Sequence, residues 1–129
     1  MLISKKQYRH ASGLTLMEIP GGCVDREDKD LESAIARELR EETGYQFESF
    51  EYLGKTSANP STHNNWMHFY LATGGEKIAA QSLDANEEIE IHLLSIDDVK
   101  SLLKKNEILQ SMHATALFYA LSKLGELNY

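Results

Sequence analysis

Three carboxylates crowd one stretch of the chain: Glu38, Glu41 and Glu42, in the run Arg37-Glu38-Leu39-Arg40-Glu41-Glu42-Thr43-Gly44. On a helix, positions three and four apart share a side, so the three glutamates repel one another by about 0.2–0.5 kcal/mol per pair. They also sit at the helix end whose free carbonyls are already partly negative. A divalent cation turns that repulsion into attraction. Hard ions such as Mg2+ take carboxylate oxygens and complete their shell with water and substrate phosphates. The alternative chemistry is none at all: a solvated acidic face, with Arg37 and Arg40 offsetting the charge.

The elements needed to hold these groups can be read on either side. Pro20-Gly21-Gly22 is a turn, and an acidic loop follows it. Asp30 is placed to cap a helix, its carboxylate accepting an unpaired backbone N–H. Leu31, Ala34, Ile35 and Leu39 recur at helical spacing and predict a buried stripe on a helix from Leu31 to about Thr43. Gly44 is suited to the left-handed conformation that closes such a helix. Glycines at 21 and 22 allow a close backbone approach that a Cβ would prevent.

The run from Arg37 to Gly44, with Gly21-Gly22 upstream, resembles the Nudix box: Gly, five residues, Glu, seven residues, then Arg-Glu-aliphatic-x-Glu-Glu-x-Gly-aliphatic. Two departures stand out. Counting back from Arg37, the box's first Glu falls on Lys29; counting forward from Gly22, it falls on Asp28. One extra residue between Val24 and Asp30 accounts for both counts, with Asp28 or Glu27 in place of the missing Glu. Tyr45 replaces the final aliphatic residue. The resemblance implies Glu38 and Glu42 as the main metal ligands, Glu41 as a further member of the metal site and its chemistry, and Arg37 as the residue that orients glutamates and loop.

The resemblance extends along nearly the whole chain. Gln7-Tyr8-Arg9-His10, followed by Glu18-Ile19-Pro20-Gly21-Gly22, looks like the branch of Nudix hydrolases that cleaves ADP-ribose and related nucleotide sugars, as does Asn86-Glu87-Glu88-Ile89-Glu90-Ile91. Arg9, Glu18 and Gly22 are then expected at the substrate. A guanidinium suits a phosphate or a carboxylate, although Arg9 and Glu18 also read as exposed strand residues. Glu87 and Glu88 lie on a loop, where catalytic groups concentrate. Either is a candidate general base, with Glu88 favoured, and a solvated acidic loop is the alternative. Relatives of that branch carry a longer segment before the Gln-Tyr-Arg strand. Here Met1 lies six residues before Gln7. An open sheet edge near Leu2–Lys6 would accept a further strand, so a homodimer is expected.

The remaining sequence bounds the answer. A chain of 129 residues is sized for one domain, residues 1–129. A net charge of −7 argues against a nucleic-acid backbone as partner, but not against a small phosphate ligand held through a metal. The single cysteine, Cys23, excludes an intrachain disulfide and has no nucleophile pattern around it. No apolar run approaches the ~20 residues of a membrane span, and the N-terminus lacks a signal-peptide run, so a cytoplasmic location is expected. Trp66–Ala72 reads as a buried strand, with Trp66 in the core; stacking of Trp66 on a base is the alternative. His63 and His68 lack the further ligands of a transition-metal site. His113 reads as structural.

Strands are predicted at Leu2–His10, Leu14–Ile19, about 47–57, Trp66–Ala72 and Ile89–Leu93, with Ala79–Asn86 as loop or weak strand. Helices are predicted from Ser95, with Asp98 in a near capping box, and over Ser111–Leu124 with Ala114, Leu117, Phe118, Leu121 and Leu124 as its apolar face. This order gives an α/β (α+β) fold, helices on a mixed sheet. The resemblance implies Mg2+, or Mn2+ as alternative, and hydrolysis of a nucleoside diphosphate linked to a sugar. A weakly active nucleotide-binding module and a pyrophosphatase for another nucleotide are the competing readings.

Overall fold

The computed structural model describes residues 2–85 and 87–127, so Asn86 lies outside the described residues. Strand β1 (Leu2–Arg9) pairs antiparallel with β2 (Leu14–Glu18) on one side and with β7 (Ile89–Leu94) on the other. Helix α1 (Leu31–Thr43) follows the Pro20-Gly21-Gly22 turn and leads into the short strand β3 (Tyr45–Gln46). Strand β4 (Ser49–Thr56) pairs antiparallel with β5 (Met67–Thr73), and β3 pairs with β6 (Glu76–Lys77). Helices α2 (Ile96–Lys104) and α3 (Ser111–Lys123) complete an α+β fold. Every pairing among the described strands is antiparallel, and they form three small sheets. No described helix is long and apolar enough to cross a membrane.

Local sequence explains the key boundaries. The Asp30 side chain accepts the Ser33 N–H at 2.7 Å and starts α1; Gly44, at φ 76°, ends it. Ser95 and Asp98 form the reciprocal capping box that opens α2. The core lies along α3. Phe69, Met112 and Ala116 pack with Leu53 and Met67, while Val99, Ile108 and Leu117 pack with Leu94 and Leu102; Ile19 touches both clusters. Ile19 directly precedes Pro20, so the turn that faces α1 is anchored in the core.

Several expectations need correcting. The segment from Leu2 to Lys6 pairs with β7 along one side, and Lys5 and Lys6 pair with β2 on the other, so among the described strands only Leu2 to Ser4 keep an unpaired side. Strand addition at this edge is therefore confined to a three-residue stretch. Trp66 is not core but 54 % exposed, with the Lys55 ammonium 4.5 Å from its ring centre. The buried aromatic of β5 is Phe69. The inner face of α3 is Met112, Ala116, Leu117, Ala120 and Leu121, and Leu124 is exposed.

Candidate active site

Lys5, Gln7 and Arg9 alternate along β1, so they share a face of the strand. That face, the Pro20–Gly22 turn, the last turns of α1 and the loop before β7 line a cavity of about 870 Å³. Glu38, Glu41 and Glu42 all line it, as do Arg9, Gly22, Arg37 and Glu87.

The three glutamates are held differently. Glu42 is buried. Its Oε1 accepts from Lys5 Nζ at 3.2 Å, and its Oε2 accepts from the Gly21 N–H at 3.0 Å. Burial raises its pKa; Lys5 and the Gly21 amide oppose the rise, and nearby Glu87 adds to it. Glu38 is also raised by burial, against the pull of Arg37, with Glu42 and Glu41 contributing repulsion. Glu41 is the most open, its side chain 41 % exposed. Gly22 lies so close to Glu38 that a Cβ at this position would collide with the carboxylate.

Arg37 organises the acidic loop as well as the helix. Its guanidinium donates to both Asp28 oxygens at 2.9 Å, to Glu38 Oε1 and Glu41 Oε2 at 3.1 Å, and to the Cys23 carbonyl at 3.0 Å. Asp28, whose pKa is held down chiefly by Arg37, thus anchors the loop. The Arg37 ion pairs do not include Glu27 or Lys29.

Glu18 is not an exposed strand residue but is 1 % exposed. It accepts from Arg9 Nε at 2.9 Å and from Arg9 Nη2, which leaves the Arg9 side chain 39 % exposed toward the cavity. Glu87 lines the cavity, and its Oε1 accepts the Asp84 N–H at 3.0 Å. Glu88 is exposed and is not among the lining residues, so the geometric preference passes from Glu88 to Glu87. His113 Nδ1 accepts the Ile19 N–H at 2.9 Å, and burial lowers its pKa to about 4. It is a neutral brace for the turn.

Sequence reasoning missed Lys5 and Gln81. Lys5 is 2 % exposed, although its neighbours in sequence read as a half-polar strand. Gln81 Nε2 donates to the Glu42 carbonyl at 2.7 Å and to the Ile89 carbonyl at 3.1 Å. Further backbone bonds run from Ser82 N–H to the Glu41 carbonyl and from Ile78 N–H to the Gly44 carbonyl. They satisfy the free carbonyls at the end of α1. The signal for Gln81, a polar residue in an irregular stretch, was too general to read.

The donor set suits a hard divalent cation: carboxylate oxygens only, two of them desolvated and mutually repelling. Among the described residues, no three His, Cys, Asp or Glu side chains converge as a ready-made metal cage.

Comparison with known proteins follows the geometry. A model of the NUDIX domain matches residues 1–115. The methanol dehydrogenase activator of Bacillus methanolicus is 30 % identical over 119 residues, covering 92 % of this chain and 64 % of that protein. The ADP-ribose pyrophosphatase of Bacillus subtilis (strain 168) is 27 % identical over 122 residues, again 92 % of this chain and 64 % of that protein. The chain thus spans just under two thirds of the length of these relatives. The crystal structure of an ADP compounds hydrolase superposes with a TM-score of 0.84 at 21 % identity, covering 97 % of this chain and 68 % of the other, a likeness of fold. The domain match over residues 1–115, together with an acidic helix braced by Arg37 at the cavity, shows that the chain belongs to the NUDIX family.

Proposed function

We propose that the protein is a divalent-cation-dependent Nudix hydrolase that cleaves the diphosphate of ADP-ribose or a related nucleotide sugar, giving a nucleoside monophosphate and a sugar phosphate. The observation that carries this reading is the placement of Glu38, Glu41 and Glu42 along one wall of a cavity large enough for such a ligand. Pockets for small ligands span roughly 300–1,000 Å³. The similarity to an ADP-ribose pyrophosphatase supports the substrate class.

Glu38 and Glu42 would hold the ion, Mg2+ before Mn2+, with Glu41 as a third, more open donor. When bound, such an ion neutralises the diphosphate and acidifies water. The remaining work falls to the chain itself. Arg37 holds Glu38 and Glu41 in register with the loop. Gly22 leaves room for the Glu38 carboxylate. Arg9, fixed by Glu18, turns the rest of its guanidinium to a phosphate or ribose-linked phosphate. Glu87 takes the proton from the attacking water. It is within the electrostatic reach of both Arg9 and Glu42.

A second reading, a nucleotide-binding module with little turnover, is favoured by the lack of three converging carboxylates among the described residues. Mg2+-dependent release of AMP from ADP-ribose, with Glu42→Gln as control, separates the two. Release by the parent alone supports hydrolysis. Nucleotide binding by calorimetry without release, across a panel of nucleotide sugars, sinks it. The homodimer and the cytoplasmic location rest on the family resemblance and general composition, and a monomeric mass by light scattering at micromolar concentration would refute the dimer.

A further inference from the structure

Lys5 is a charged side chain that the proposed chemistry does not require. It sits on the middle strand of three, opposite Glu18 on β2 and Ile91 on β7, and is 2 % exposed. Its Nζ donates to Gln7 Oε1 at 2.9 Å and to Glu42 Oε1 at 3.2 Å, and lies 3.9 Å from Glu18 Oε1. The ammonium is therefore committed inward, to side-chain oxygens of the protein, rather than to a phosphate.

The charges around the cavity are unevenly balanced. On the β1 side, Lys5 and Arg9 are ion-paired with Glu18 and Glu42, two cations against two carboxylates, with Glu87 near enough to act on Arg9 and Glu42. On the loop side, Arg37 alone faces Asp25, Asp28, Glu38 and Glu41. The surplus of negative charge thus lies at Glu38 and Glu41. Glu42 is already supplied with one cation and one backbone donor, the Gly21 N–H.

We infer that Lys5 is a positioning residue that acts as a resident cation: it holds Glu42 in place and shares that carboxylate with the divalent ion, so lowering the site's affinity for metal. This rests on the proposed role of Glu42 as a metal ligand. Two cations on one carboxylate repel each other, most strongly away from water. An exposed lysine would swing aside when metal arrives. Lys5 is restrained, because its side chain is only 3 % exposed where it lines the cavity and is hydrogen-bonded to Gln7 and Glu42. An ion held by Glu38 and Glu42 is therefore bound more weakly than the carboxylates alone would hold it.

The sign of the effect makes the inference testable. Mn2+ and Mg2+ binding to the whole chain is measured by calorimetry for the parent, Lys5→Met and Lys5→Arg. Lys5→Met, close in size and uncharged, is expected to tighten Mn2+ on the order of tenfold. Lys5→Arg, which keeps the charge, stays near the parent. A lysine that only supports the fold would loosen metal binding when removed, so unchanged or weaker binding by a folded Lys5→Met overturns the inference. If Lys5→Met does not fold, the parent decides. Mg2+ must then shift the 15N resonance of the Lys5 ammonium with the midpoint seen by calorimetry, and an unmoved resonance overturns the inference. A parent that binds neither ion refutes the metal-site reading itself, whereas a parent that binds metal beside an unresponsive Lys5 refutes only the role of Lys5.

Discussion

Arg37 and Asp28 are joined by two parallel hydrogen bonds, Nε to Oδ1 and Nη2 to Oδ2, both 2.9 Å. The same guanidinium reaches Glu38 and Glu41, so one planar group sets the distance between loop and helix. Lysine has the charge but not the fork. Arg37→Lys is expected to lower turnover by about 10- to 100-fold, the usual effect of losing a residue that orients metal ligands. Asp28→Asn should lower it by less, because one oxygen still accepts. Steady-state AMP release measures both. An unchanged kcat in Arg37→Lys would refute the organising role.

Glu42→Gln tests ligation and packing together. The amide removes a negative charge from beside the buried Lys5 and leaves the more distant Glu18 as its charged partner. Breaking a buried pair typically destabilises by about 3–5 kcal/mol. The remaining partners should hold the loss to about 3 kcal/mol, read from urea unfolding of the metal-free protein, with turnover down by at least 10²-fold, since such ligands act as a unit.

The two glycines of the turn should behave oppositely. A Cβ at Gly22 meets the Glu38 carboxylate, whereas a Cβ at Gly21 has no neighbour within 4 Å. Gly22→Ala is expected to displace Glu38, weaken Mg2+ binding and reduce turnover with little change in stability. Gly21→Ala keeps the N–H that Glu42 accepts and should be nearly silent. Parallel calorimetry and melting curves decide the comparison.

His113 gives stability a pH dependence of known sign. Burial depresses its pKa from 6.5 to about 4, so the unfolded chain binds the proton more readily. The stabilisation is fully present above about pH 6.5, declines as pH falls, and is gone below about pH 4. The full effect is on the order of 3 kcal/mol at 1.36 kcal/mol per pKa unit. Glu38 and Glu42 have raised pKa values and contribute with the opposite slope. The readout is therefore the difference between the parent and His113→Gln, which can still accept the Ile19 N–H. That difference should shrink between pH 6.5 and 4.

Trp66 is the only tryptophan; it is exposed and lines the cavity. Its fluorescence should change as ADP-ribose is titrated in, and stacking on a base would quench it. Saturable quenching at the affinity found by calorimetry is expected. A flat signal during binding would place the ligand away from this wall.

Helix α1 was legible in sequence because each of its determinants is local: Asp30 caps it, Leu39 and Ala34 bury it, Gly44 stops it. The capping box at Ser95 was legible for the same reason. Lys5 was not, since what buries it is Glu18 across the sheet and Glu42 from a distant helix, and no local pattern encodes either. Trp66 was misread because an aromatic run gives no sign of which residue turns inward. There the core takes Phe69 and leaves Trp66 outside. The inner face of α3 was read in part: Leu117 and Leu121 are buried as expected, while Ala116 and Ala120 fit where bulkier Phe118 and Leu124 were expected. Glu87 and Glu88 are adjacent, and only the path of the loop distinguishes them.

Gln81 spans the carbonyls of Glu42 and Ile89, and so works as a tie-rod between the acidic helix and the middle sheet. Glu87 rides on the short span of chain between Gln81 and Ile89. Ser82, whose N–H donates to the Glu41 carbonyl, adds a second tie from the start of that span to the helix. Removing that tie-rod, as in Gln81→Ala, would loosen the seat of Glu87 while leaving every charged group of the cavity in place.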